Sequence, residues 1–154
     1  MLKSISGFVV LSLTLILLVA GCGGGDASIT KAELIRKGDA ICENADNAEF
    51  EGSIKYEKAH AEEYSNLPPG VAVRKLRDVV GLPVILKQAE ELEALGAPKG
   101  DEEEVKAIIV GIEEAVKKGE QKPASLEATT SANPFSHVNR LAQEYGFKAC
   151  SEAN

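Results

Sequence analysis

Four stretches of this chain set apolar residues at alternating steps of three and four, each bracketed by residues that start or stop helices. A strand repeats every two residues, so this spacing commits the chain to helices buried along one stripe. The first stretch opens at Thr30-Lys-Ala-Glu33. There the threonine hydroxyl can accept the third helical amide, and Glu33 can reach back to the cap. Leu34, Gly38, Ile41, Cys42, Ala45 and Ala48 form its stripe. Gly52-Ser53 is a place for the helix to bend or break. The spacing then resumes at Ile54, Tyr56, Ala59 and Tyr64, and Pro68-Pro69-Gly70 ends it.

The second helix is expected over residues 71 to 95, with Val73, Leu76, Val79 or Val80, Pro83, Leu86, Ala89, Leu92 and Leu95 on its apolar face. Pro83 has no amide to donate and its ring clashes with the preceding turn, which predicts a kink between residues 79 and 83. Gly96-Ala97-Pro98 is a stop signal. Asp101-x-x-Glu104 opens a third helix with another capping signature, and Val105, Ile108, Ile109, Ile112 and Val116 supply its buried face up to a stop at Gly119. The β-branched run Ile108-Ile109-Val110 suits a strand, but the caps and the spacing outweigh it. Residues 120–133 are small, polar and aperiodic and read as a loop, with room for one helical turn at 125–128. Asn133 as cap and Pro134 as first residue start the fourth helix. Its stripe is Phe135, Val138, Leu141, Ala142 and Tyr145, and Gly146 stands where a terminating glycine belongs. The expectation is an all-α chain forming an antiparallel four-helix bundle with a kinked second helix.

Composition narrows function by exclusion. Seventeen Lys and Arg against 24 Asp and Glu give −7, the wrong sign for a nucleic-acid partner. Only 5% of residues are aromatic and there is no Trp, so no stacking platform for bases is expected.

The first 21 residues differ from the rest. Lys3 is followed, from Phe8 to Ala20, by an uncharged run, FVVLSLTLILLVA. It falls short of the ~20 residues that span a bilayer but suits the apolar core of a signal peptide. It runs into Val19-Ala20-Gly21-Cys22, and this junction resembles the lipobox of a bacterial lipoprotein precursor. The resemblance implies lipidation of the Cys22 thiol and cleavage between Gly21 and Cys22. Residues 1–21 would be a removed signal peptide, 22–29 a glycine-rich tether and 30–154 the helical domain. The mature chain would keep 133 of the 154 residues and, with Lys3 gone, move from −7 to −8. Its address would be the extracytoplasmic face of the cell membrane, held by several acyl chains. KGDAICENA, ALGAP and EYGFKAC also resemble stretches of a group of uncharacterised small helical lipoproteins of actinobacteria, which implies fold and address alone.

If Cys22 carries lipid, Cys42 and Cys150 remain, in a compartment that permits disulfides. The resemblance thereby implies one Cys42–Cys150 bridge pinning the last helix to the first; the alternative is two separate buried thiols. Such a long loop corresponds to about 4–5 kcal/mol in the chain-entropy description.

Other polar groups favour plain readings. Glu57-x-x-His60 has the spacing of one half of a di-metal site, but Pro134 occupies the matching position before His137 and the second half is missing. Ser136 and His137 are adjacent and point apart on a helix. Gly23-Gly24-Gly25 lacks the strand and Lys-Ser/Thr of a phosphate loop. The acids from Asp101 to Glu104 complement a helix dipole, and Asp39, Glu43 and Asp46 around Cys42 read as a polar face. No catalytic residue, metal ligand or cofactor is therefore expected. The expected function is a non-enzymatic binding or interaction module of the cell envelope. It would contact the membrane through lipid on Cys22 and an envelope protein or small ligand beyond it, with no nucleic acid. The alternative is a small-ligand or metal-binding bundle whose cleft lies beside Pro83.

Overall fold

Thr30 fixes where the first helix begins in the computed structural model, which describes residues 28–152. Its hydroxyl accepts the Glu33 amide at 3.2 Å, and the Glu33 carboxylate accepts the Thr30 amide at 3.2 Å, so the capping box closes as expected. The Thr30 hydroxyl, which also donates to the Glu33 carboxylate at 2.8 Å, and then the Thr30 amide hold that carboxyl below the usual carboxylate range. The expected signal peptide, Cys22 and most of the tether lie outside the described residues.

Helix α1 runs unbroken over Lys31–Ala59. Gly52-Ser53 neither bends it into two nor ends it. A side chain at position 52 would strike Val80, so this glycine serves close packing against the neighbouring helix. Leu34, Gly38 and Cys42 are buried, while Ile41 and Ala45 are half-buried and Ala48 is exposed. The turn at His60 separates a short α2, Ala61–Ser65. Tyr64 meets Tyr56 edge-on, and Lys75 pairs with Glu63 to hold α2 against the next helix.

The second long helix comes in three joined pieces: α3 (Pro69–Leu76), a π turn (Arg77–Gly81) and α4 (Leu82–Ala94). The π turn occupies the place where a kink was expected, and Pro83 accounts for it. Its ring cannot sit against the carbonyl four residues back, and in the widened turn the Leu82 amide reaches the Arg77 carbonyl instead. A π turn carries one more residue than an α turn and so shifts the register of the residues just after it. The apolar face expected downstream is corrected in part. Pro83 and Leu86 are exposed, Ala89 and Leu92 are buried as expected, and Leu82, Ile85 and Gln88 complete the buried face.

Helix α5 spans Glu102–Gln121 and buries Val105, Ile108, Ile109, Ile112 and Val116 as read from sequence. Two details differ. Gly119 does not stop the helix; it lies buried within it, where Leu126 packs onto its bare backbone. Asp101 stands at the N-cap without a side-chain capping bond. Its carboxylate accepts the Tyr145 hydroxyl at 2.9 Å and lies 3.9 Å from the Lys31 amine, which sits over the Tyr145 ring. A tertiary partner has taken the carboxylate the helix end would have used. Burial, and then this bond to Asp101, push the Tyr145 phenol far above its ordinary range, so it stays a donor at any physiological pH. Tyr145→Phe is expected to cost about 1–2 kcal/mol by leaving Asp101 short of a donor, measurable by urea unfolding.

A 3₁₀ segment, Pro123–Glu127, follows close to the turn expected at 125–128. Helix α6 covers Ser136–Tyr145, two residues later than Asn133 and Pro134 implied. Asn133 folds the loop instead. Its amide donates to the Leu126 and Ala128 carbonyls, and its oxygen accepts the Phe135 amide at 2.9 Å. Phe135, Val138, Ala142 and Tyr145 are buried, and Leu141 is half-buried. Gly146 ends the helix in the left-handed region at φ 116°, and the Phe147 amide returns to the Ala142 carbonyl. A last short helix, α7, covers Ala149–Glu152.

Among the described residues the chain is all-helical. Helix α4 packs against α1 and α5, α5 against α6, and α7 against α1 and α6. One hydrophobic core joins them, with Leu34, Cys42 and Val116 fully enclosed. Cys42 and Cys150 meet at disulfide distance across a sequence separation of 108. Two further contacts seal that junction. Gln88, a buried polar side chain, points its amide at the Cys42 sulfur at 3.0 Å. Asp39 accepts the Lys148 amide at 2.9 Å and the Cys150 amide at 3.4 Å, so its carboxylate caps α7.

Candidate functional site

The residues weighed for chemistry in the sequence are scattered. His60 closes α1, exposed, with its ring stacked on Tyr56 and its Nδ1 2.9 Å from the Tyr56 carbonyl; Glu57 is exposed beside it. His137 lies on α6 next to Arg140, exposed to solvent. Among the described residues no group of three or more His, Cys, Asp or Glu is placed to hold a metal ion. Of the acids around Cys42, Glu43 and Asp46 are exposed as a polar face should be, but Asp39 has the capping role just described.

A cleft does form beside the π turn, at the place the second helix pointed to. Its construction follows from three local features. Gly81 carries no side chain, and a Cβ there would sit 3.0 Å from the Glu49 Oε1. The Glu49 carboxylate can therefore lie against the turn. Leu82 and Ile85, on the first turns of α4, supply an apolar floor. The opposite wall is the loop before α6, where Leu126, Asn133 and Phe135 face the same space of about 150 Å³. Arg77 ties this wall down. Its Nη1 donates to the Pro123 carbonyl at 3.3 Å, and Arg74 pairs with Glu127 at 3.4 Å.

The polar groups of the cleft differ in what they have left to offer. Arg77 turns its Nε and Nη2 onto Asp78 at 2.9 and 2.8 Å, so its charge is largely matched. Asn133 has spent its amide and its oxygen on the loop backbone. Glu49 has neither a hydrogen-bond nor an ion-pair partner among the described residues, although it is half-buried. Burial pushes its carboxyl above the usual range, and Asp46, one turn earlier, adds to the shift. A raised folded-state value means that ionisation opposes folding. The penalty is absent at low pH, where Glu49 is protonated in both states, and grows as pH rises from the ordinary carboxylate range through the folded value.

Sequence reading pointed to the region of Pro83, which does not itself line this cleft, and did not single out Glu49, which stands in a run of similar surface acids. Large apolar side chains are also exposed elsewhere: Phe50 is 68% exposed, with Ile54 one turn further along α1, and Val73 on α3 is 66% exposed. No helix among the described residues is long and apolar enough to cross a membrane. No protein-family model matches this chain, and no curated protein or solved structure matches it.

Proposed function

We propose that the protein is a lipid-anchored, non-enzymatic binding module on the extracytoplasmic face of the cell membrane, and that the cleft beside the π turn is where it binds. In this reading α1, the α3–α4 helix, α5 and α6 form an antiparallel four-helix bundle that holds the cleft open. Cys22 carries the lipid after cleavage at Gly21, and the membrane is the first partner. The observation that carries the binding role is the half-buried, unpaired Glu49 carboxylate in an apolar-walled cleft. Such a group weakens the fold, and a ligand that satisfies it explains its presence. The lipobox-like junction supports the address. Exposed Phe50, Ile54 and Val73 favour a second reading, contact with an envelope protein.

The geometry suits an anchored receptor. Glu49 lies about 27 Å along α1 from its first turn, at ~1.5 Å per residue, and the tether adds at most about 20 Å. Native mass spectrometry of the full-length protein, extracted from bacterial membranes in mild detergent, tests the reading. The expected mass is that of residues 22–154 plus acyl chains, less two protons. An uncleaved chain without lipid would overturn the address. A lipidated chain that never retains a ligand or partner would overturn the binding role.

A further inference from the structure

The charges around the cleft are unevenly satisfied, and this identifies the kind of ligand that fits. Arg77 is matched by Asp78, and Arg74 by Glu127, across the π turn, α3 and the 3₁₀ segment. On α1, Glu49 and Asp46 one turn before it have no cation partner among the described residues. An anion would meet Glu49 unfavourably. A neutral apolar molecule would remove what water the carboxylate still has and give nothing in return. A molecule with one positive, hydrogen-bonding group and a short apolar body corrects both faults, because charge-assisted bonds to a half-buried carboxylate are the strong ones.

We propose that this cleft is a binding site for a small organic cation. Its ammonium is received by Glu49, and its apolar body lies against Leu82, Ile85 and Phe135. The cavity of about 150 Å³ equals the liquid volume of only about five water molecules, so the ligand is a compact amine rather than a chain or a ring system of several units. Gly81 lets the Glu49 carboxylate approach the turn closely, since a Cβ there would stand 3.0 Å from its Oε1 and push it back by a few tenths of an ångström. The proposal rests on the binding-module reading above and gives that module its ligand class.

The test uses the full chain purified from bacterial membranes in mild detergent, with labelled Leu and Ile methyl groups followed by NMR. Three probes of one shape are titrated: cyclohexylamine, cyclohexanol and cyclohexanecarboxylate. The amine is expected to bind at least tenfold more tightly than the alcohol, a difference of ~1.4 kcal/mol, and to shift the Leu82, Ile85 and Leu126 methyls. Glu49→Gln is expected to erase that preference while leaving the melting temperature unchanged or slightly raised, so lost binding cannot be lost folding. Equal affinity for amine and alcohol, tighter binding of the carboxylate, or shifts confined to methyls elsewhere would overturn the cation site. If the site fails while the membrane-extracted protein still carries lipid and another bound molecule, the binding module stands and only the ligand class falls. An unlipidated chain that binds the amine through Glu49 would overturn the address and leave the site intact.

Discussion

Replacing both Cys42 and Cys150 by alanine is expected to lower stability by about 3–5 kcal/mol, with a fall in melting temperature of roughly 10–20 °C for a domain of this size. The first contribution acts on the unfolded chain, which loses a cross-link between residues 108 apart in sequence and regains the conformational freedom it suppressed. The second acts on the folded state. Cys42 is fully enclosed, so truncation leaves a small void and removes the atom that the Gln88 amide addresses. Asp39 would still cap α7, which keeps the C-terminal segment near its place and sets the loss below complete unfolding. Denaturant unfolding of oxidised protein, of reduced protein and of the double variant gives the comparison. Wild-type protein whose midpoint ignores reductant would show that the two sulfurs are not joined in solution.

Gly38→Ala is expected to destabilise by about 2–3 kcal/mol, although glycine to alanine inside a helix ordinarily gains up to ~1 kcal/mol. The sign reverses because of what lies over position 38. A Cβ there would run into the Phe147 ring and stand 3.1 Å from a Leu92 methyl, both in the packed core. Neither can retreat freely, since Phe147 follows the Gly146 turn and stacks on Tyr145, and Leu92 is held between α1 and α5. Gly70→Ala is the control. That position is exposed on the first turn of α3, and its nearest neighbour, an Arg74 Nη1, is 3.6 Å away, an ordinary contact distance. A small gain or no change is expected there, read from the same urea midpoints. Equal effects at the two positions would mean that the close approach of α1 to Phe147 is not maintained in solution.

These two sites also show what the sequence made legible. Gly38 and Cys42 fell on the apolar stripe of the first helix, the Thr30–Glu33 box set its start, and Val105, Ile108, Ile109, Ile112 and Val116 of the buried face of α5 followed from spacing, without Ala115 and Gly119. Each depends on residues close in sequence, where periodicity and capping chemistry act directly. The failures share another cause. Continuing the stripe of the second helix past Leu76 put Pro83 and Leu86 on the buried face, and both are exposed, although Ala89 and Leu92 are buried as expected. Pro83 marked the place of the disturbance, but not that an extra residue would be absorbed in a widened turn. Asp101 and Asn133 were read as caps because both suit that role. In the fold Tyr145, 44 residues away, claims the first, and the loop carbonyls claim the second. Gln88 and Glu49 stayed hidden for the same reason. A glutamine inside the core and a carboxylate against a glycine turn become visible only once the register shift at the π turn is known.

If the protein is held to a surface as proposed, the junction of α1 with the C-terminal residues has a mechanical consequence. Tension entering through the residues before α1 travels along its first turns to Cys42, where the covalent link offers a path directly to Cys150. Everything between them, including the π turn, α5 and the Glu49 cleft, lies on a closed ring in parallel with that path. Pulling between the two ends of the chain would strain the first turns of α1 and the few residues after Cys150 while the ring stayed slack. A pull of that kind would therefore bypass the Glu49 cleft.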